Sequence, residues 1–185
     1  MNKTKQNLIN AFAGESQARN RYTYFASVAK KEGYEQISEI FLKTAENEKQ
    51  HAKMFYKLIG EGYFHVDSSY PFILGTTVQN LKSAIEGEHE EWSELYIEAS
   101  KIAEEEGNKK AANVFKQIAE AEKHHEERFF KLLKNLENDT TFKKEVEVEW
   151  LCRKCGRIVK SKEAPEKCPT CEHEKKYFEL LCEKY

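Results

Sequence analysis

The chain has 185 residues, 34% of them charged, with a net charge of −2 and a mean hydropathy of −0.80. That length suits one full domain plus a small one, and the charge balance gives no reason to expect nucleic acid as a partner. No apolar run approaches the ~18 residues that would span a membrane, and Met1 to Asn10 lacks an apolar leader core, so a cytoplasmic protein is expected.

Residues 1–137 carry helical periodicity and are read as an all-α four-helix bundle. Helix A, Lys3 to Lys31, has an inner stripe of Leu8, Phe12, Glu15, Ala18, Tyr22 and Ala26, and Gly33 stops it after a basic last turn. Helix B, Tyr34 to Ile59, places Ile37, Phe41, Ala45, Glu48, His51 and Phe55 on one face. Helix C begins near Thr76, where Thr76 and Gln79 resemble a capping box. It presents Leu81, Ile85, Glu88, Glu91, Leu95 and Ile102. Helix D, Lys109 to Leu136, presents Val114, Ile118, Glu122, His125, Phe129 and Leu132. The stretch Gly60 to Gly75 is long for a turn between antiparallel neighbours. It suits a crossover that makes B and C parallel.

Most acidic residues fall on outward positions, but Glu15, Glu48, Glu88 and Glu122 sit inside the apolar stripes. An isolated buried carboxylate costs several kcal/mol, so such a group must pair or bind metal. Glu48 with His51, and Glu122 with His125, are Glu-x-x-His pairs whose members share a helix face. Two such pairs with a glutamate from each of the other helices match the donor set of di-iron and di-manganese carboxylate bundles. A shift of 74 residues maps Glu32-Gly33 onto Glu106-Gly107, Glu48-Lys49 onto Glu122-Lys123 and His51 onto His125. Helices A and B therefore read as one hairpin and C and D as its repeat. Glu91, three after Glu88, has no counterpart, since Ala18 is three after Glu15. It can reach the metal pair and would break its symmetry. Tyr22, seven after Glu15, and Tyr96, eight after Glu88, can hydrogen-bond ligands or donate protons, or serve as core aromatics. His65, His89, His124 and His173 read as surface groups.

Residues 138–149 are read as a linker leading, through the β-prone run Val146–Trp150, into a first strand, and 150–185 as a small, mostly-β metal domain, too short to hold a core unaided. Cys152/Cys155 and Cys168/Cys171 are Cys-x-x-Cys pairs twelve residues apart. Two such knuckles close a tetrahedral sulfur cage. The spacing suits structural zinc or redox iron. Beside a redox-capable bundle iron is the better choice, because thiolate-bound iron cycles by one electron and zinc does not.

Gly14-Glu15-Ser16-Gln17-Ala18-Arg19, Glu48-Lys49-Gln50-His51-Ala52, Gly87-Glu88-His89-Glu90-Glu91, Ala121-Glu122-Lys123-His124-His125-Glu126 and both cysteine motifs together resemble the rubrerythrins over nearly the full length. The resemblance implies a ferritin-like bundle followed by a rubredoxin-like domain, with two non-haem iron ions in the first and one iron ion in the second. It implies that Glu48 and Glu122 bridge the irons, that Glu15 and Glu88 are terminal ligands and that His125 binds one iron. The other iron is expected to exchange Glu91 when ferric for His51 when ferrous, in keeping with ligand hardness. It also implies a peroxidase that reduces hydrogen peroxide to water in defence against oxidative stress. In such a reaction Glu91, released from iron, could shuttle protons. Electrons are expected from a rubredoxin or an NAD(P)H-dependent reductase, since no nucleotide fingerprint appears in this chain. A homodimer, head-to-tail or domain-swapped, is implied as well. Two rival readings are iron oxidation and storage in a ferritin-like shell, and a non-enzymatic scaffold with a zinc ribbon. The cysteine domain and Glu91 speak against the first. The inward acidic and histidine positions speak against the second.

Overall fold

The computed structural model describes residues 2–183. Helix α1 spans Lys3–Lys31 and α2 Glu35–Ile59. After a crossover without regular structure, α3 spans Thr77–Glu90, a π-helical turn takes Glu91–Leu95, and α4 continues through Tyr96–Glu105. Helix α5 spans Lys109–Glu137. The four-helix bundle thus has α3, the π turn and α4 as one interrupted rod.

Helix ends follow local chemistry. Asn2 and Asn108 cap α1 and α5 by accepting from backbone N–H groups, and Thr76 forms the full capping box with Gln79. Gly33 and Gly107 take the left-handed backbone after α1 and α4. Each hairpin also caps the other. Glu32, after α1, accepts from the Thr77 N–H at 3.0 Å, and Glu106, after α4, accepts from the Lys3 and Thr4 N–H groups at 3.1 and 2.9 Å. A carboxylate at a helix N-terminus gains from the helix dipole as well as the hydrogen bonds. These contacts put the end of α1 beside the start of α3 and the end of α4 beside the start of α1, so α2 runs parallel to the α3–α4 rod, as a crossover requires.

The π turn corrects the expectation of one regular helix C. Leu95 and Ile102 were expected inside, yet Leu95 is 47% exposed and the buried residues are Tyr96 and Ala103. Each inward position has moved one residue along, which is the effect of inserting a residue into an α-helix.

The bundle core is split in two. Leu8, Phe55, Tyr96 and Phe115 anchor one apolar cluster, and Tyr22, Phe25, Phe41 and Phe129 anchor the other. The acidic and histidine positions lie between them. No helix among the described residues is long and apolar enough to cross a membrane.

In the C-terminal part, β1 (Lys143–Cys152) pairs antiparallel with both β2 (Ile158–Glu163) and β3 (Phe178–Leu180), in the order β2-β1-β3. Strand β1 begins inside the stretch read from sequence as linker. Trp150, Ala164 and Phe178 form a small core together with Cys152 and Cys168. Arg153 links this domain to the bundle, pairing with Glu39 of α2 and with Glu179 of its own sheet.

Candidate metal centres

Six side chains from α1, α2, α3 and α5 meet between the apolar clusters. Glu15, Glu48, His51 and Glu122 bring one donor atom each within 4.8 Å of one another, and so do Glu48, Glu88, Glu122 and His125. Glu48 and Glu122 belong to both groups. Glu122 lies 2.8 Å from His51 Nδ1 through Oε1 and 2.8 Å from His125 Nδ1 through Oε2. Glu48 faces His51 at 3.0 Å through Oε2 and His125 at 3.2 Å through Oε1. Each of these carboxylates therefore offers one oxygen to either side. Glu15 approaches His51 at 3.8 Å, and Glu88 approaches His125 at 3.5 Å. The imidazoles lie parallel within 24°, centroids 5.9 Å apart. The arrangement is near-twofold, as the repeat in the sequence requires.

Tyr22 and Tyr96 complete the symmetry by crossing over. The Tyr22 hydroxyl donates to Glu88 Oε1 and the Tyr96 hydroxyl to Glu15 Oε1, both at 2.6 Å. Seven residues separate Glu15 from Tyr22 and eight separate Glu88 from Tyr96. The π turn absorbs the extra one and keeps both tyrosines level with their partners.

The electrostatics show how the cluster fares with protons alone. Burial pushes the Glu88 carboxyl up, and the neighbouring Glu48 charge adds to this, to about 8. Burial and then Glu122 raise Glu15 well above the carboxylate range. Burial pulls the His125 imidazole down, but close contacts with Glu122, Glu48 and Glu88 outweigh it and raise it to about 12. His51 is raised in the same way by Glu122, Glu15 and Glu48. Burial pushes Glu48 up, yet His125 and His51 bring it down to about 2. Even so, Glu15 Oε2, Glu48 Oε1, Glu88 Oε2, both Glu122 oxygens and His125 Nδ1 are buried without an aligned hydrogen-bond partner. Unpartnered buried acceptors of this kind call for a cation. Two divalent ions would neutralise the four carboxylates with both imidazoles neutral, so the donor set fits a two-metal centre.

Glu91 stands outside both groups. It lies on the π turn and lines a cavity of about 120 Å³ together with Gly14, Tyr70 and Tyr96. Burial, then the Glu15 charge, raises its carboxyl well above the ordinary range. His65, His89, His124 and His173 are exposed. His89 nevertheless contacts Glu126 at 3.1 Å, and Glu126 also accepts from the Trp92 indole, tying the π turn to α5. Reading the sequence missed that tie, the π turn and Tyr70. The unequal spacing of the two Glu–Tyr pairs was the available signal for the second.

Cys152, Cys155, Cys168 and Cys171 form the second cluster, with donor sulfurs also within 4.8 Å of one another. The two knuckles are built alike. Gly156 N–H donates to Cys152 O and Glu172 N–H to Cys168 O, both at 2.9 Å. Cys152 N–H donates to Arg157 O and Cys168 N–H to His173 O, both at 2.8 Å. Gly156 and Glu172 each take a left-handed backbone that ends the knuckle. Burial pushes the Cys168 thiol up, but the Thr170 and Cys171 N–H groups aimed at its sulfur outweigh it and bring it to about 6. All four thiols are free, and thiolates so arranged suit one tetrahedral ion. Cys182 is free and exposed, apart from the cluster.

The sequence model of the rubrerythrin family matches residues 6–133, and that of the rubrerythrin rubredoxin-like domain matches residues 150–179. The chain belongs to the rubrerythrin family. It is 52% identical to rubrerythrin-1 of Clostridium acetobutylicum, across 99% of this chain and 96% of that one. It is 50% identical to rubrerythrin of Porphyromonas gingivalis, across 99% and 92%. Among solved structures, fully reduced, all-ferrous nigerythrin is 34% identical with a TM-score of 0.67, covering 98% of this chain and 88% of that one. Bacterioferritin of Desulfovibrio desulfuricans, at 20% identity and a TM-score of 0.66 over 75% of this chain and 82% of its own, shares the bundle fold. The fold is therefore ferritin-like followed by rubredoxin-like. The family binds iron, and the two clusters give this member a di-iron donor set and a four-cysteine set.

Proposed function

We propose that this rubrerythrin is a cytoplasmic non-haem peroxidase that reduces hydrogen peroxide to water. The supporting observation is one chain that pairs a near-symmetric six-residue donor cluster, with the Glu91 carboxyl at a cavity beside it, to a four-cysteine site. Glu48 and Glu122 would bridge two iron ions, Glu15 and Glu88 would be terminal, His125 would hold one ion, and His51 and Glu91 would alternate on the other. The cysteines would hold a third iron. Bound iron supplies the electrons, two from the paired site and single ones from the thiolate site.

The chain's own groups supply the rest. Tyr22 and Tyr96 fix the rotamers of Glu88 and Glu15 through their hydroxyls, so the terminal carboxylates are held in place before any ligand arrives. Glu91, whose carboxyl is raised by burial, lines the cavity, where it would pass a proton to a departing oxygen. The apolar clusters on either side exclude bulk water. An external rubredoxin or NAD(P)H-dependent reductase refills the cysteine site, and the working unit is a homodimer, head-to-tail or domain-swapped.

The test is to reduce the iron-loaded protein without oxygen, add one equivalent of hydrogen peroxide, and follow the red ferric-thiolate absorbance by stopped flow. Rapid return of colour as peroxide disappears is the expected result. Peroxide left unconsumed, with both centres shown to hold iron, would sink the reading.

A further inference from the structure

We propose that α1 and the crossover build a size-limiting chamber beside Glu91, which admits hydrogen peroxide and turns away bulky hydroperoxides, with Tyr70 as its specificity-determining residue. This rests on the peroxidase reading above.

The chamber is the cavity of about 120 Å³ outside both donor clusters. It shares a wall with the di-iron donor set, because Tyr96 lines it and donates to Glu15 at 2.6 Å. Its roof is the crossover, which lacks regular structure yet is fastened to one stripe of α1. Gln6 Nε2 donates to His65 O at 3.1 Å. Asn10 Nδ2 donates to Asp67 O at 2.8 Å while Asn10 Oδ1 accepts from Asp67 N–H at 3.0 Å. The Tyr70 hydroxyl donates to Asn10 O at 2.7 Å. Gln6, Asn10 and Gly14 are spaced by four residues and so lie along one helix face.

Gly14 is the informative member of that stripe. A glycine inside a helix costs about 1 kcal/mol relative to alanine, so its presence asks for a reason. Backbone strain is not the reason, since Gly14 lies within regular α1. Nor is collision, since a Cβ there would stand 3.5 Å from Tyr70 Cε1 and 3.9 Å from Glu91 Oε1, ordinary contacts. What any side chain would remove is the gap between the Tyr70 ring and the Glu91 carboxyl. At about 120 Å³ the cavity is smaller than the ~150 Å³ that takes a benzene ring. The cavity is open on one side, so the limit acts at its inner end between the Tyr70 ring and Glu91, which would accommodate peroxide with water but not an aryl group. Asn7, Ser68, Tyr70 and Glu91 give it polar walls suited to a small hydrogen-bonding oxidant.

The experiment compares kcat/KM for hydrogen peroxide and cumene hydroperoxide in the iron-loaded native protein, Tyr70→Ala, Tyr70→Phe and Gly14→Val. Tyr70→Ala should raise the cumene-to-hydrogen-peroxide ratio by about tenfold or more, and Tyr70→Phe, which keeps the ring, should retain the native ratio. Gly14→Val should lower kcat/KM for hydrogen peroxide by about tenfold, through KM. In the metal-free protein, hydrogen exchange should find the Asp67 amide protected, and Asn10→Ala should abolish that protection. An unmoved ratio in folded Tyr70→Ala, an unmoved KM in Gly14→Val, or an unprotected native Asp67 amide overturns the chamber. Should Tyr70→Ala fail to fold, Gly14→Val and the exchange measurement decide. A native protein that holds iron and reduces neither hydroperoxide overturns the peroxidase reading instead.

Discussion

At the scale of single residues, the crossed tyrosines are the most exposed to test. Tyr96→Phe removes one hydroxyl and leaves Glu15 Oε1 buried without its donor. The expected cost is about 1–3 kcal/mol of stability, read by urea unfolding of the metal-free protein. Tyr22→Phe should do the same through Glu88, and the double variant should show how far the two halves of the cluster are coupled. The metal-free cluster also fixes a pH dependence. Glu88 rises from an ordinary carboxyl to about 8, so its contribution is full below about 4.5 and lost as pH climbs to 8. His125 rises to about 12, so its contribution is full below about 6.5 and fades toward 12. Glu48, lowered to about 2, acts oppositely: its contribution is full above about 4.5 and is lost as pH falls from there through 2. Metal-free protein should therefore melt at a higher temperature at pH 5 than at pH 8.5. Loaded with divalent metal, whose binding displaces those protons, it should gain stability over the same rise. Equal melting temperatures for the metal-free protein at the two values would contradict the assignment.

At the scale of elements, the π turn is the feature to remove. Deleting Ser93 from Glu91–Leu95 would restore equal Glu–Tyr spacing in both hairpins. The bundle should keep its helical circular dichroism and the cysteine site its colour. Peroxide turnover should fall by about a hundredfold if Glu91 is the proton donor it is proposed to be. Most of the helical framework was legible beforehand. Lys3–Lys31 follows from apolar spacing and Gly33, and Thr76 with Gln79 announces the start of α3 by capping chemistry. The facing positions of Glu15, Glu48, Glu88 and Glu122 follow from the same periodicity. The π turn was not legible that way, because a period of 3.6 offers Leu95 and Ile102 as readily as Tyr96 and Ala103. Only the repeat, through its seven-versus-eight spacing, carries the difference. Nor could periodicity find Tyr70, since side-chain ties between a helix and an irregular segment leave no pattern in the sequence. Strand β1 starts earlier than the β-prone run Val146–Trp150 suggests, because Lys143-Lys144-Glu145 is polar on both faces and reads like linker.

At the scale of the whole molecule, the open matter is which cysteine site serves which cluster. Arg153, inside the first knuckle, pairs with Glu39, and Glu39 lies twelve residues before His51 on α2. That separation is about 18 Å along the helix, a long path for an electron within one chain. In the proposed head-to-tail dimer the cysteine site of one chain would serve the cluster of the other. A mixed dimer of one Cys168→Ala chain and one Glu122→Ala chain keeps an intact pairing only across chains. It should regain activity that neither parent variant has, and activity no greater than the parents would count against transfer between chains.

The electrostatics of the two centres also set an order of maturation. In the bundle, protonated imidazoles balance the carboxylates, so the helical body can take shape before any iron arrives. In the C-terminal domain two of the five core residues buried among the described residues are themselves cysteines, so its core is scarcely a core until an ion draws the four sulfurs together. A newly made chain in an iron-poor cell would then be a finished body with an unfinished tail. Proteases would find that tail first, and iron supply would govern how long each chain survives as well as whether it works.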